Sequence, residues 1–127
     1  MSQRPTLAEV MESAADVMLL DQLDTARFLH VDTRGYDDDT ALHVMAWRED
    51  AASAAVLIDA GADVDAVGDM GETPLHVAVG KRDRAMVDLL VRAGARSDVV
   101  SEFGRTAREK AVELGILDWL DVPVDPA

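Results

Sequence analysis

Cysteine is missing from this chain, which excludes disulfides, thiolate metal sites and a cysteine nucleophile and leaves the redox compartment open. Long apolar runs are missing too. None approaches the roughly 20 residues needed to span a bilayer, and the N-terminus MSQRPTLAEV has no apolar signal-peptide core, so a soluble cytoplasmic protein is expected. The sequence holds no GxSxG elbow, phosphate-binding glycine loop or nucleotide fingerprint, so catalysis has no candidate constellation and no cofactor is expected. Basic residues are scarce. Twelve Lys and Arg against 25 Asp and Glu give a net charge of -13, which repels phosphate backbones and anionic lipid and argues against nucleic-acid and membrane partners.

What is present suits one folded domain. With 127 residues, 49% of them apolar, the chain can bury a real core. The acidic excess is uneven: residues 1–64 carry 4 basic and 13 acidic side chains, residues 65–127 carry 8 and 12. Solubility alone accounts for such an excess, and a basic partner docking on the first half accounts for it equally well.

A 33-residue period organises the chain. It aligns Thr40, Thr73 and Thr106, and also Gly61 with Gly94. DDDTALHVMA, GETPLHVAVG and GRTAREKAVE open three units; VLIDAGADVDA and LLVRAGARSDV close the first two. Within a unit the pattern predicts two short helices. Thr73 stands at an N-cap, Pro74 at the first helical position, and Leu75, Ala78 and Val79 make an apolar stripe. After KRDR, the run AMVDLLVRAG places Met86, Leu89 and Leu90 on one face and stops at Gly94, a left-handed C-cap. The stretch ARSDVVSEFG, with its Gly104 turn signal, predicts a projecting hairpin-like finger.

These units resemble ankyrin repeats. TPLHVA at Thr73 to Ala78 and GADVDA at Gly61 to Ala66 carry the likeness, which is strong over residues 36–104 and weaker outside. The resemblance implies an all-α solenoid of stacked helix-turn-helix units with projecting fingers. Its expected divisions are an N-terminal helical cap over about 5–35, repeats at 36–68 and 69–101, a capping repeat at 102–122 and a tail at 123–127. Terminal units of a solenoid are atypical because they close the stack with a solvated face. TLAEVMESAADVMLLDQLDTARFLHV reads as one or two amphipathic helices with a break near Asp16 or near Asp21.

Departures from the pattern carry their own expectations. Ala41 replaces the proline and Asp38 the glycine that Gly71 and Gly104 supply at the finger turn; aspartate tolerates the left-handed region better than most residues. Glu49 and Arg82 stand where the loop between helices has glycine, so a reshaped loop is expected. The small side chains of AASAAV, Ala51 to Val56, imply a thin core or close helices.

Histidine is the residue type that invites chemistry. His43 and His76 fall one period apart, and packed helices lie roughly 8–10 Å apart, too far for both to ligate one metal at about 2.1 Å. By resemblance, each bonds to its own threonine and to backbone of the next unit, so that Thr40, His43, Gly61, Thr73, Pro74, His76 and Gly94 are scaffold. His30 falls near the end of the N-terminal helix, where an imidazole is favourable. Asp63, Asp65 and Gly68 imitate a calcium loop, but Val67 and Pro74 occupy ligand positions. The run Asp37, Asp38 and Asp39 lacks the opposed geometry that sets an acid against a base.

Binding is what remains. The resemblance implies that a protein partner meets the concave side, made of finger tips and the exposed face of each unit's first helix. By position these are Tyr36, Asp37 and Asp39, then Asp69, Met70 and Glu72, then Glu102, Phe103 and Arg105, with Trp47, Arg48, Gly80 and Lys81 from the helices. Only 4% of the chain is aromatic, yet Tyr36, Trp47 and Phe103 all map to this surface. Aromatic residues and Arg dominate interface hot spots, so Trp47 beside Arg48 reads as an anchor in an acidic surround. The competing reading has Trp47 folded back over AASAAV. The expectation is a non-catalytic module, monomeric when free, whose partner is another protein and a basic one if charge decides. Two roles stay open: adaptor, or immunity-type inhibitor of a basic toxin or enzyme.

Overall fold

A computed structural model describes residues 4–17, 31–32, 34 and 38–121. Six α-helices lie among them: α1 (Leu7–Val17), α2 (Ala41–Arg48), α3 (Ala51–Asp59), α4 (Pro74–Gly80), α5 (Arg84–Arg92) and α6 (Ala107–Leu114). Short 3-10 turns follow at Asp69–Gly71 and Leu117–Leu120. Helices this short are marginal in isolation, so packing must hold them. It does so in two layers. α2, α4 and α6 stack as one layer, while α3, α5 and the Leu117–Leu120 turn stack as the other, with α2 against α3, α4 against α5 and α6 against the turn. α1 closes one end against α2 and α3, with Arg4 paired to Asp59 at 2.8 Å and Arg48 donating to the Ser13 carbonyl at 3.1 Å.

The core between the layers is continuous through the units. Leu42, Met45, Leu57, Leu75, Met86 and Leu90 are its large members, and Ala41, Ala46, Ala54, Ala78, Ala107 and Ala111 are fully buried. AASAAV therefore does what its small side chains predict locally: Ser53 and Ala54 turn inward, and Leu42, Met45 and Leu57 supply the volume.

Each unit begins with a threonine that stops the preceding finger and starts a helix. Thr73 N–H donates to His76 Nδ1 at 3.0 Å, and His76 N–H donates to Thr73 Oγ1 at 3.3 Å. Thr106 and Glu109 exchange the same two bonds at 3.0 Å each. Thr6 and Glu9 do so at 3.2 Å, which gives α1 the same start. That Thr-x-x-Glu signature was present in the text of the N-terminal cap, and the repeat reading passed over it.

The loops between paired helices keep the left-handed turn that glycine would supply. Glu49 (φ 58°) and Arg82 (φ 55°) both adopt it, so the expected reshaping does not occur. The packing of the flanking helices outweighs a local cost of roughly 1–2 kcal/mol per residue. Asp38 (φ 75°) takes the same conformation at the first finger turn, where Gly71 and Gly104 serve the next two. α1 continues through Asp16 to Val17. Asp21, His30, Tyr36 and Asp37 lie outside the described residues.

Candidate functional site

The two buried histidines are mortar between units. Nδ1 of His43 accepts the Thr40 N–H at 3.1 Å and Nδ1 of His76 accepts that of Thr73, so in each ring the proton sits on Nε2. His43 Nε2 then donates to the Glu72 carbonyl at 2.9 Å, and His76 Nε2 to the Arg105 carbonyl at 3.1 Å. Both nitrogens of each ring are thus committed, and both side chains are 1% exposed. Glu109 occupies the same position in the third unit and keeps only the bonds to its own threonine.

Fingers are bound to one another as well as to the helices. Each closes on itself, Gly68 N–H to the Glu72 carbonyl and Ser101 N–H to the Arg105 carbonyl, both at 2.8 Å. Asp39 accepts the Asp69 N–H at 2.9 Å, and Glu102 N–H donates to the Met70 carbonyl at 3.0 Å. A second ladder was missed by the sequence reading. Asp32 accepts the Asp63 N–H and Asp65 accepts the Arg96 N–H, each at 2.8 Å. Its signal was the alignment of Asp32, Asp65 and Asp98 on the 33-residue period. Asp98 instead pairs with Arg96 at 3.0 Å; the Arg96 hydrogen bond, and then its charge, hold the Asp98 carboxyl below the usual range.

This framework sorts the expected binding residues. Asp39 is 7% exposed and holds the next finger's backbone, so it leaves the exposed rim: its short side chain turns in to accept the Asp69 N–H. Asp69, Met70, Glu102 and Phe103 are exposed, while Glu72 and Arg105 are half-buried. Trp47 is 53% exposed, with the Lys81 ammonium 5.4 Å from its ring centroid. It therefore stands out from α2 instead of folding over α3.

Two cavities open along this side and share Glu72. The smaller, about 110 Å³, is lined by Asp39, His43, Trp47, Asp69, Met70, Glu72 and Val77. The larger, about 350 Å³, is lined by Glu72, His76, Ser101, Phe103, Arg105 and Lys110. The cations of the cavity lining and of the expected binding set are engaged within the chain: Lys110 with Glu72 at 3.4 Å, Arg105 with Glu113, Arg48 with Ser13 and Lys81 over Trp47. Among the described residues, the side-chain carboxylates of Asp69 and Glu102 at the finger tips have no such partner.

Stacked helical hairpins with inter-unit histidine bonds and projecting turns define a helical repeat solenoid. The chain belongs to the ankyrin-repeat family: the family model described as Ankyrin repeats (3 copies) matches residues 12–102 and again 42–120. Members of this family are generally protein–protein interaction modules and are typically non-catalytic. Comparison with curated proteins gives no match. No described helix is long and apolar enough to cross a membrane.

Proposed function

We propose that this chain is a non-catalytic binding module, a cytoplasmic monomer when free, that presents its concave side to a protein partner. The observation that carries the reading is the exposure of three large apolar side chains in successive units. Trp47 (53%), Met70 (49%) and Phe103 (64%) are exposed and line the two cavities, Trp47 and Met70 the smaller and Phe103 the larger. Such anchors, rimmed by polar groups, are the usual energetic centre of an interface. Asp69, Glu72, Lys81, Arg48, Glu102 and Arg105 form the rim. The rigid units lose little entropy on docking, and the finger carboxylates steer a basic partner.

The test begins with affinity capture of the partner from host lysate. In titrations with that partner, Trp47→Ala weakens binding at least tenfold, about 1.4 kcal/mol, with the thermal midpoint nearly unchanged. Parallel loss of stability and affinity would assign Trp47 to packing. The narrower reading, an immunity-type inhibitor covering the active surface of a basic toxin or enzyme, is favoured by the net charge of -13 and by the Asp69 and Glu102 carboxylates, which have no side-chain partner among the described residues. It requires tight binding that falls steeply with salt.

A further inference from the structure

We infer that the partner element seated on the concave side is an extended polyproline-II segment carrying a Lys or Arg at every third residue. The inference rests on the concave side being the binding face and adds which chain conformation and side-chain spacing that face accepts.

The argument starts from the repeat itself. The fingers end in the paired texts Asp69-Met70-Gly71 and Glu102-Phe103-Gly104, an acid followed by an apolar residue and a turn glycine, displaced by one unit. Each pair stands beside its own cavity, Met70 at the smaller and Phe103 at the larger. One unit therefore repeats one recognition pattern: an exposed carboxylate at the tip and, beside it, a cavity edged by the apolar side chain of Met70 or Phe103. Units whose helices pack side by side are displaced by roughly 8–10 Å.

A ligand that uses both patterns must repeat with the same translation. A flat β-strand turns residues i and i+3 to opposite faces, so it cannot address two equivalent tips at this distance. Polyproline II has three residues per turn and rises about 3.1 Å per residue, so residues i and i+3 share an edge about 9 Å apart. Position i of each triplet then meets Asp69 or Glu102, position i+1 points at the cavity beside Met70 or Phe103, and position i+2 faces solvent.

Charge decides what position i holds. The nearby cations Lys110, Arg105 and Lys81 are engaged by Glu72, Glu113 and the Trp47 ring. The tip carboxylates of Asp69 and Glu102 have no partner among the described residues, so the complementary side chain is cationic. Lys and Arg also lay their apolar stems along Met70 and Phe103 while their charged ends reach the rim.

The test uses fluorescence anisotropy with a labelled peptide of four Lys-Val-Pro triplets on the full chain. Saturable binding is expected. Asp69→Asn with Glu102→Gln should weaken it at least tenfold and flatten its salt dependence, with an unchanged melting curve. A peptide of the same composition with lysine at every second residue should bind at least fivefold more weakly. A peptide with glutamate for lysine should not bind. Equal affinity for the two lysine spacings, or no binding of the Lys-Val-Pro peptide, would overturn the inference. The proposed function is judged separately, by the response of the captured protein partner to Trp47→Ala. A partner that responds while the peptide fails rejects only the polyproline-II segment, and a partner that does not respond rejects the concave side itself.

Discussion

Glycine at positions 49 and 82 should make this protein more stable, although both replacements remove side-chain atoms. Glu49 and Arg82 hold φ values of 58° and 55°, where a Cβ crowds the following carbonyl. That strain is worth roughly 1–2 kcal/mol per residue. Glycine removes it but brings back about 0.4–1 kcal/mol of unfolded-chain entropy. The net gain is about 0.5–1 kcal/mol per site. Both side chains are exposed, and neither has a hydrogen bond or ion pair to lose among the described residues. The positions lie in successive inter-helix loops without shared partners, so the gains should add to about 1–2 kcal/mol. At roughly 2.1 cal/mol/K per residue, unfolding 127 residues carries an entropy of about 0.27 kcal/mol/K, so the midpoint should rise by about 4–7 °C. Because one acid and one base are removed together, the net charge stays at -13 and cannot cause the change. The assay is reversible urea and thermal unfolding followed by far-ultraviolet circular dichroism, with Glu49→Ala/Arg82→Ala as the control. Alanine keeps the Cβ and should give no gain. A glycine pair no more stable than the alanine pair would refute the strain argument.

Three further outcomes follow from the same geometry. His76→Ala strips the buried Thr73 N–H of its partner, leaves the Arg105 carbonyl with only the Ser101 N–H, and opens a cavity, a loss of about 2–4 kcal/mol in urea titration; Glu109→Ala, which removes only an exposed cap, should cost about 1 kcal/mol, and equal losses would deny the inter-unit role of the histidine. Gly68→Ala would set a methyl 2.8 Å from His43 Nε2 and closer still to Asp39 Oδ1, so a loss of about 1–3 kcal/mol and faster amide exchange at Asp69 are expected; unchanged exchange would show that the finger yields freely. Asp98 should titrate below an ordinary aspartate by carboxyl NMR, and Arg96→Ala should return it to the usual range. Its folded value is the lowered one, so its small contribution is present above the unfolded value and fades as pH falls through the folded value. A midpoint indifferent to Arg96→Ala would show that the pair does not form in solution.

Much of this protein was legible before any coordinates. The 33-residue period, the threonine starts, the glycine stops and the composition together specify the units, because helix capping and turn geometry are local properties that a few adjacent residues decide. The scaffold role of His43 and His76 was implied by the resemblance to ankyrin repeats, while their spacing of one period argued against a shared metal. What the sequence could not show was where side chains of one unit meet backbone of the next. Asp39 reads as an exposed acid on a finger, and only the stacked neighbour reveals that it turns in to the Asp69 N–H. Glu49 and Arg82 read as a changed loop, and only packing of the flanking helices explains why the left-handed turn persists. The division of charge, with Lys110 and Arg105 engaged and the Asp69 and Glu102 carboxylates unpartnered among the described residues, likewise depends on pairs such as Lys110 with Glu72, 38 residues apart in the chain. Periodicity along the chain determined the units; contacts between periods, which no single period encodes, decided which finger and helix side chains stay exposed.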